Sequence, residues 1–385
     1  MSVPVLRFKD DDGREFPEWE NDSLGSYAEN ISSGKSNARN ESGSYILYGS
    51  TDAIGYADDY DYQGEKILIA RVGANAGYLY RVDGDYCVSD NTLMLTLKKP
   101  NNYSFFFNLL TNTNLNKLVF GSGQPLITGG HLKILDVVIP SLPEQTKIAN
   151  FLTAVDEKIS QLTQKIELLA QYKKGVMQQI FSQELRFKDE DGRDFPEWEV
   201  KSLGEIAKFR RGSFPQPYGL EKWYDDINGV PFIQVFDVND NFRLKNKTKR
   251  KISKEAQLQS VFVETGSILI TIQGSIGRIA ITQYPAYVDR TLLLFESFKV
   301  DINKYYFAYV LFLLFEIEKE KAPGGIIKTI TKEVLTDFEV FICDYAEQTK
   351  IANFLTALDN KITHNQTQLN ALKQYKQGLL QQMFV

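Results

Sequence analysis

The residues best suited to chemistry in this chain are few, and most fail on spacing. Gly34, Lys35 and Ser36 supply the end of a phosphate-binding loop. Such a loop needs a further glycine five residues before its Gly-Lys-Ser, and that place holds Glu29. No Gly-x-Ser-x-Gly elbow follows a strand-like run, and no Gly-x-Gly-x-x-Gly opens a helix. The Asn-Pro-Pro-Tyr type of tetrapeptide, with which amino-methyltransferases hold a flipped base, is also missing. Two histidines, His131 and His364, are too few for a multi-histidine metal centre. Two cysteines, Cys87 and Cys343, exclude a disulfide framework and a Cys-rich zinc site. Asp58, Asp59 and Asp61 sit among tyrosines in a turn-like stretch without a second acidic cluster to complete a cation site, so a solvated loop is the expectation. The sequence therefore predicts no catalytic residue, no bound metal and no cofactor in this chain.

What remains is side-chain chemistry suited to phosphates and base edges. Residues 243–254 read RLKNKTKRKISK, with seven basic residues in twelve: Arg243, Lys245, Lys247, Lys249, Arg250, Lys251 and Lys254. Arg210 and Arg211 precede Gly212. Gln273 and Arg278 lie beside Gly274 and Gly277. A thinner set occurs earlier: Lys35, Asn37 and Arg39, then Arg71, Asn75 and Arg81. Lysines can neutralise phosphates, and Arg, Asn and Gln can read base edges with paired hydrogen bonds. A solubilising loop would account for the basic run equally well. The glycines have their own alternatives, as strand-ending turns or as places where backbone approaches a ligand.

These residues hang on a plan that is used twice. Residues 6–20 read LRFKDDDGREFPEWE and residues 185–199 read LRFKDEDGRDFPEWE, alike at 13 of 15 positions. EQTKIANFLTA stands at 144–154 and again, unchanged, at 347–357. Without gaps, 144–181 and 347–384 agree at 22 of 38 positions. The offset between copies grows from 179 for the first pair to 203 for the second, so the second half has the longer intervening segment. Two half-chains on one plan imply a pseudo-two-fold architecture; a solenoid needs three or more short repeats.

Each EQTK segment predicts a long helix. Ile148, Leu152, Val155, Ile159, Leu162 and Ile166 alternate steps of four and three, as a coiled-coil seam does. Ile351, Leu355, Leu358, Ile362 and Leu369 repeat the pattern, with Asn365 where the first copy has Leu162. Leu169, Tyr172, Val176 and Ile180 carry the first stripe onward with a slight drift, and Leu372, Tyr375, Leu379 and Met383 carry the second. Without proline, 38 residues would extend about 57 Å. The alternative is a pair of amphipathic helices, each packed on its own domain. Gly175 and Gly378 mark either a close helix approach or a fraying end.

Between marker and helix, each half reads as a mixed α/β module. Strand-like runs at 66–72 and 91–97 match others at 267–272 and 291–295. Helical aromatic runs follow at 103–110 and 305–315. An Ile-Thr pair with a leucine four residues on from the threonine then ends each module: Ile127, Thr128 and Leu132, and Ile330, Thr331 and Leu335. The longest apolar run, 305–315, is too short to span a bilayer. Nothing at the N-terminus resembles a signal peptide, so a cytoplasmic protein without membrane contact is expected. A charge of −5 over 385 residues argues mildly against a nucleic-acid binder, but it averages over a chain whose basic residues are clustered.

The chain resembles the specificity subunit of type I restriction-modification systems over essentially its whole length. The resemblance rests on the duplicated EQTKIANFLTA and on the approach GSGQPLITGGHLKILDVVIPSLPEQ at 121–145. The duplicated LRFKD marker looks like the staphylococcal-type members. In the second approach Lys328 replaces Pro125 and Cys343 replaces Pro140. The resemblance implies an α+β fold with two target-recognition domains, each reading one half of a split double-stranded DNA target. The two helices would form an antiparallel coiled coil between them and dock two modification subunits, with restriction subunits joining through the complex. Methylation, ATP-driven translocation and cleavage would belong to those partners, with their S-adenosylmethionine, ATP and Mg. The expected divisions are 1–143 and 183–346 for recognition and 144–182 and 347–385 for the helices. Gln124 and Lys328 join the candidate DNA contacts as residues of the two approaches. The rivals are a stand-alone methyltransferase or nuclease, and a coiled-coil adaptor that never touches DNA.

Overall fold

The computed structural model describes residues 4–37, 40–119, 125–239, 241–321 and 332–384. It divides into two compact units. One holds residues 1–165 and 365–385, and the other holds 166–364.

In the first unit the run KILIA, Lys66–Ala70, is a strand buried on both faces, which is why it reads as continuous apolar sequence. It sits in an antiparallel sheet ordered Ala28–Ser33, Thr92–Leu97, Lys66–Ala70, Leu79–Val82. Its two faces are served by alternate residues. Ile67, Ile69, Leu93 and Leu95 join Phe105, Phe106 and Leu109 of the helix Tyr103–Asn112. Leu68 and Met94 join Tyr86 and Val88 of a second sheet. That sheet is ordered Ala53–Ala57, Tyr45–Tyr48, Asp85–Val88, Tyr62–Gln63, and its central pair is parallel. A ribbon of Glu20–Ser23 with Asp136–Ile139 leads into the long helix.

The second unit repeats this order. Ala207–Arg211, Leu292–Phe298, Ile268–Thr271 and Ile279–Ile281 form the first sheet. Arg250–Ile252, Val230–Ile233, Ala286–Val288 and Val261–Val263 form the second, again with a parallel central pair. Glu199–Ser202 pairs with Glu339–Ile342, and the covering helix is Lys304–Lys321. The strand and helix expectations therefore hold, although the helix extends six residues past the expected 315. Gly77 and Gly277 adopt φ of +93° and +85°. A Cβ on Gly277 would come within 2.8 Å of the Phe315 ring, and one on Gly77 within 3.0 Å of Asn116. These glycines serve a tight turn packed against the helical layer. Most of the extra length of the second module falls in one place. The segment from Gln234 to Thr271 is much longer than its counterpart from Gly49 to Ala70, and the basic run as far as Lys249 lies in the extra length before the strand Arg250–Ile252.

The long helices are Leu142–Phe181 and Tyr345–Met383. In the first unit Ile148, Leu152 and Val155 share a core with Leu379, Met383 and Phe384. In the second, Val176, Met177 and Ile180 share one with Ile351 and Leu355. Within each unit the two helices thus run antiparallel, and each module packs on the start of one and the end of the other. Lys376 bonds Asp156 at 2.6 Å in the first unit, and Lys173 bonds Asp359 at 2.6 Å in the second. Ile148, Leu152, Ile351 and Leu355 are fully buried, Val155, Leu162, Leu358, Asn365 and Leu369 nearly so, and Ile159, Ile166 and Ile362 partly. Tyr172 and Tyr375 depart from the expected stripe and are half exposed. Val176, Ile180, Leu379 and Met383, expected on the same stripes, are buried, with the drift that a 3.6-residue helix shows against a 3.5-residue seam.

Gly175 and Gly378 lie inside unbroken helix, and a Cβ on either meets no atom within 4 Å. Neither the close approach nor the frayed end is found. Gly175→Ala and Gly378→Ala should each raise stability by about 0.4–1 kcal/mol. A higher urea midpoint at unchanged slope is the expected reading, and a lower one would show that the chain does not accommodate a Cβ at these positions.

Candidate nucleic-acid interface

The repeated motifs prove to be a clamp between each marker and the start of a helix. Glu144 has a fully buried side chain that accepts from Arg7 Nη2 at 2.7 Å, Arg7 Nε at 3.1 Å and Trp19 Nε1 at 3.1 Å. Glu347 accepts from Arg186 at 2.8 and 3.2 Å and from Trp198 Nε1 at 2.9 Å. Gln145 caps Asn102 N–H at 3.1 Å as Gln348 caps Asn303 N–H at 2.8 Å. Lys147 donates to the Lys9 carbonyl and Lys350 to the Lys188 carbonyl. These repeated polar residues therefore have structural partners, and the candidate binding surface lies in the loops that differ.

In the first unit those loops meet at one end of the first sheet. Gly34 N–H bonds Thr92 O at 3.0 Å, and Arg71 N–H bonds Asn91 O at 2.9 Å. Exposed Lys35, exposed Asn37, half-exposed Arg71 and exposed Asn75 thus share an edge. Arg71 Nη1 also donates to Asp90 O at 3.4 Å. Arg81 lies elsewhere, bound to Ser104 and 3.4 Å from Glu65. Arg39, Gln124 and Lys328 lie outside the described residues, as do Ile330 and Thr331.

In the second unit Arg210 and Arg211 face opposite sides of their strand. Arg210 is 3.8 Å from Glu296, and Arg211 donates to Arg290 O at 3.2 Å. The basic run wraps around buried Asp237. That carboxylate accepts from Gln234 N–H and Lys249 N–H, both at 2.9 Å, while its carbonyl accepts from Lys245 N–H at 2.8 Å. Burial raises its pKa, and the two backbone bonds and the charges of Lys245 and Lys249 oppose that rise. Lys245, Lys247 and Lys249 are exposed, with Lys249 Nζ 5.0 Å above the Phe236 ring. Arg250 and Lys251 are committed to a neighbouring loop. Arg250 stacks 3.8 Å over Tyr224 and pairs with Asp226 at 3.0 Å, and Lys251 Nζ donates to Ile227 O at 3.0 Å. Arg278 Nη1 lies 3.5 Å from Val238 O, and a Cβ on Gly274 would lie 3.5 Å from Val235. Residues 234–239 therefore gather Gln273, Arg278, Lys245 and Lys249 around them.

Sequence reasoning passed over Tyr218, Gln234 and Arg290, which converge here. Gln234 Nε2 is 2.6 Å from Tyr218 Oη, and the Arg290 guanidinium lies 5.3 Å from the Tyr218 ring centre. Burial, with the Asp289 carboxylate beside it, raises the Tyr218 phenol pKa. The parallel pairing of Val230–Ile233 with Ala286–Val288 sets Gln234 beside Asp289 and Arg290, and no short motif signals it.

Among the described residues no group of three or more His, Cys, Asp or Glu could hold a metal ion, and no helix is long and apolar enough to cross a membrane. The chain is similar to a candidate type I restriction enzyme specificity subunit, MjaX, of Methanocaldococcus jannaschii, with 26% identity over 67% of this chain and 60% of that protein. It is similar to the MjaVIII specificity subunit of the same organism, with 24% identity over 82% of this chain and 77% of that one. It is also similar to the EcoprrI specificity subunit of Escherichia coli, with 29% identity over 33% of this chain and 31% of that one. The match thus spans less than two thirds of the MjaX and EcoprrI proteins. A crystal structure of a type I restriction-modification S subunit from M. genitalium superposes with a TM-score of 0.68 at 18% identity, covering 100% of this chain and 99% of that one. The family model for the type I restriction modification DNA specificity domain matches residues 18–171 and again 196–374. With both halves matched and the fold shared, this chain belongs to the type I restriction-modification DNA specificity family.

Proposed function

We propose that the chain is the DNA-recognition subunit of a type I restriction-modification complex and is itself non-catalytic. Each module reads one half of a bipartite double-stranded target. The helices set the spacing and dock two modification subunits, through which restriction subunits join. S-adenosylmethionine, ATP and Mg serve those partners, and the assembly works in the cytoplasm. The observation that carries this reading is one framework built twice, with different loops at the same sheet end. Two such surfaces suit two different half-sites, and a helical spacer makes their separation a geometric property. Lysines would position on phosphates while Arg, Asn and Gln specify bases.

The test exchanges residues 21–143 for the equivalent segment of another family member and maps methylated positions in cells that carry the partners. One half-site should change and the other persist. A change in both, or no sequence-specific methylation with either chain, would refute the reading. A second expectation concerns the basic loop. Lys245→Ala with Lys247→Ala should weaken binding at all sequences alike. The logarithmic salt slope should flatten by about 0.9 for each phosphate that is no longer neutralised. An unchanged slope would place these lysines on a solvent face. Arg250→Ala should act on folding instead, because its guanidinium is held by Tyr224 and Asp226.

A further inference from the structure

At the end of the strand Val230–Ile233, side chains from distant parts of the chain form a relay. Asp289 is buried, and its Oδ1 accepts from Thr291 N–H at 2.9 Å and the Thr291 hydroxyl at 2.5 Å. Its Oδ2 accepts from the Tyr218 hydroxyl at 3.2 Å. The Tyr218 oxygen is in turn 2.6 Å from Gln234 Nε2. Donor counting fixes each direction. A carboxylate only accepts, so the Tyr218 proton goes to Asp289. The tyrosine oxygen must then accept, and the Gln234 amide must turn its nitrogen toward it. The second N–H of that amide and its carbonyl oxygen are thereby held in one order.

We infer that Gln234 reads an adenine in the half-site of the second module, with Tyr218 as its positioning residue. This rests on the reading of the chain as a DNA-recognition subunit. A glutamine amide offers a donor and an acceptor side by side, which matches adenine N7 and N6 in the major groove. A free glutamine presents either order, whereas one pinned through Tyr218 to a buried carboxylate presents one. Cations suited to phosphates flank it. Arg290 lies over the Tyr218 ring, and Lys249 lies over Phe236, two residues along the chain. The first module lacks this reader. Ser89 N–H bonds Tyr48 O at 2.9 Å as Asp289 N–H bonds Ile233 O at 3.0 Å, which sets Gly49 and Ser89 in the places of Gln234 and Asp289. The two modules therefore differ in chemistry at one shared position of the framework.

The test uses the full chain assembled with its modification subunits, on a library of DNA duplexes randomised across both half-sites. The wild-type chain should prefer A·T at one position of the second half-site by about tenfold or more. Gln234→Ala should flatten that position and leave the first half-site unchanged. Tyr218→Phe keeps the glutamine but frees its orientation, so it should flatten the same position with little loss of overall affinity. Should Tyr218→Phe fail to fold, Gln234→Ala decides alone. An unchanged preference in Gln234→Ala, flattening at a G·C position, or uniform weakening across all positions would overturn the inference while the recognition role stands. A wild-type chain with no sequence preference would overturn both.

Discussion

Arg7→Ala is expected to destabilise the first unit by about 3–5 kcal/mol, the usual cost of stripping one partner from a buried ion pair. Glu144 has no exposed side-chain surface, and Arg7 supplies two of the three bonds to its carboxylate. Alanine would leave the charge with only the Trp19 N–H. Arg7 Nη2 also donates to the Phe16 and Pro17 carbonyls, at 3.2 and 2.7 Å, so the marker would loosen with it. Lys9→Ala is the matched control. Lys9 sits in the same marker and pairs with Glu15 at 2.9 Å, but with both side chains at least 60% exposed. Such a pair contributes about 0–1 kcal/mol. Hydrogen exchange of the central strand Lys66–Ala70 measures both variants in one unit. Equal effects of the two substitutions would show that the clamp is not what ties marker to helix. Arg186→Ala should repeat the result in the second unit, because Glu347 is buried in the same way.

Deleting residues from 365 onward should expose the first module to proteolysis, although the cut lies at the far end of the sequence from that module. Leu379, Met383 and Phe384 are almost fully buried in the core that holds Phe105 and Ile148, and the Phe384 ring lies 5.5 Å from that of Phe105. Each buried side chain of this kind contributes about 1.5–3 kcal/mol. Three of them, with Leu372 and Leu380 partly buried beside them, rival the whole net stability of an ordinary domain, about 5–15 kcal/mol. Limited proteolysis read by mass spectrometry should find new cleavages within residues 21–143 and continued protection of the second module. Equal protection of both would mean that the first module completes its core without the last helix. Phe384→Ala offers a graded version, with an expected loss of about 3–5 kcal/mol.

The framework was legible in the sequence because repetition and hydrophobic period report directly on buried surface. KILIA and TLMLTL are strands that need apolar residues on both faces, and the EQTK segments carry a helical stripe that any inspection of spacing finds. The second sheet of each unit was not legible. Its strands are short, with tyrosines, glycines and charges among them, and its central pairing is parallel between segments far apart in sequence. The candidate binding residues were half legible for the same reason. Lys245 and Lys247 announce themselves by charge. Arg250 and Lys251 carry the same charge but are spent on Tyr224, Asp226 and Ile227, which sequence proximity does not reveal. Gln234 lacks any such signal, since its importance comes through Tyr218 from the distant carboxylate of Asp289.

One small bond carries a larger meaning. Leu185 N–H bonds the carbonyl of Gln179 at 3.0 Å, where the first long helix turns into the second marker. Leu6 N–H bonds the carbonyl of Gln382 at 2.9 Å. Those are the same two places in the plan, joined by chain in one case and merely touching in the other. The end of the second long helix therefore holds the first marker as the end of the first long helix holds the second. The same bond is made between residues six apart in the second unit and between residues remote in sequence in the first, so the first unit bears a loop-closure cost in chain entropy that the second does not.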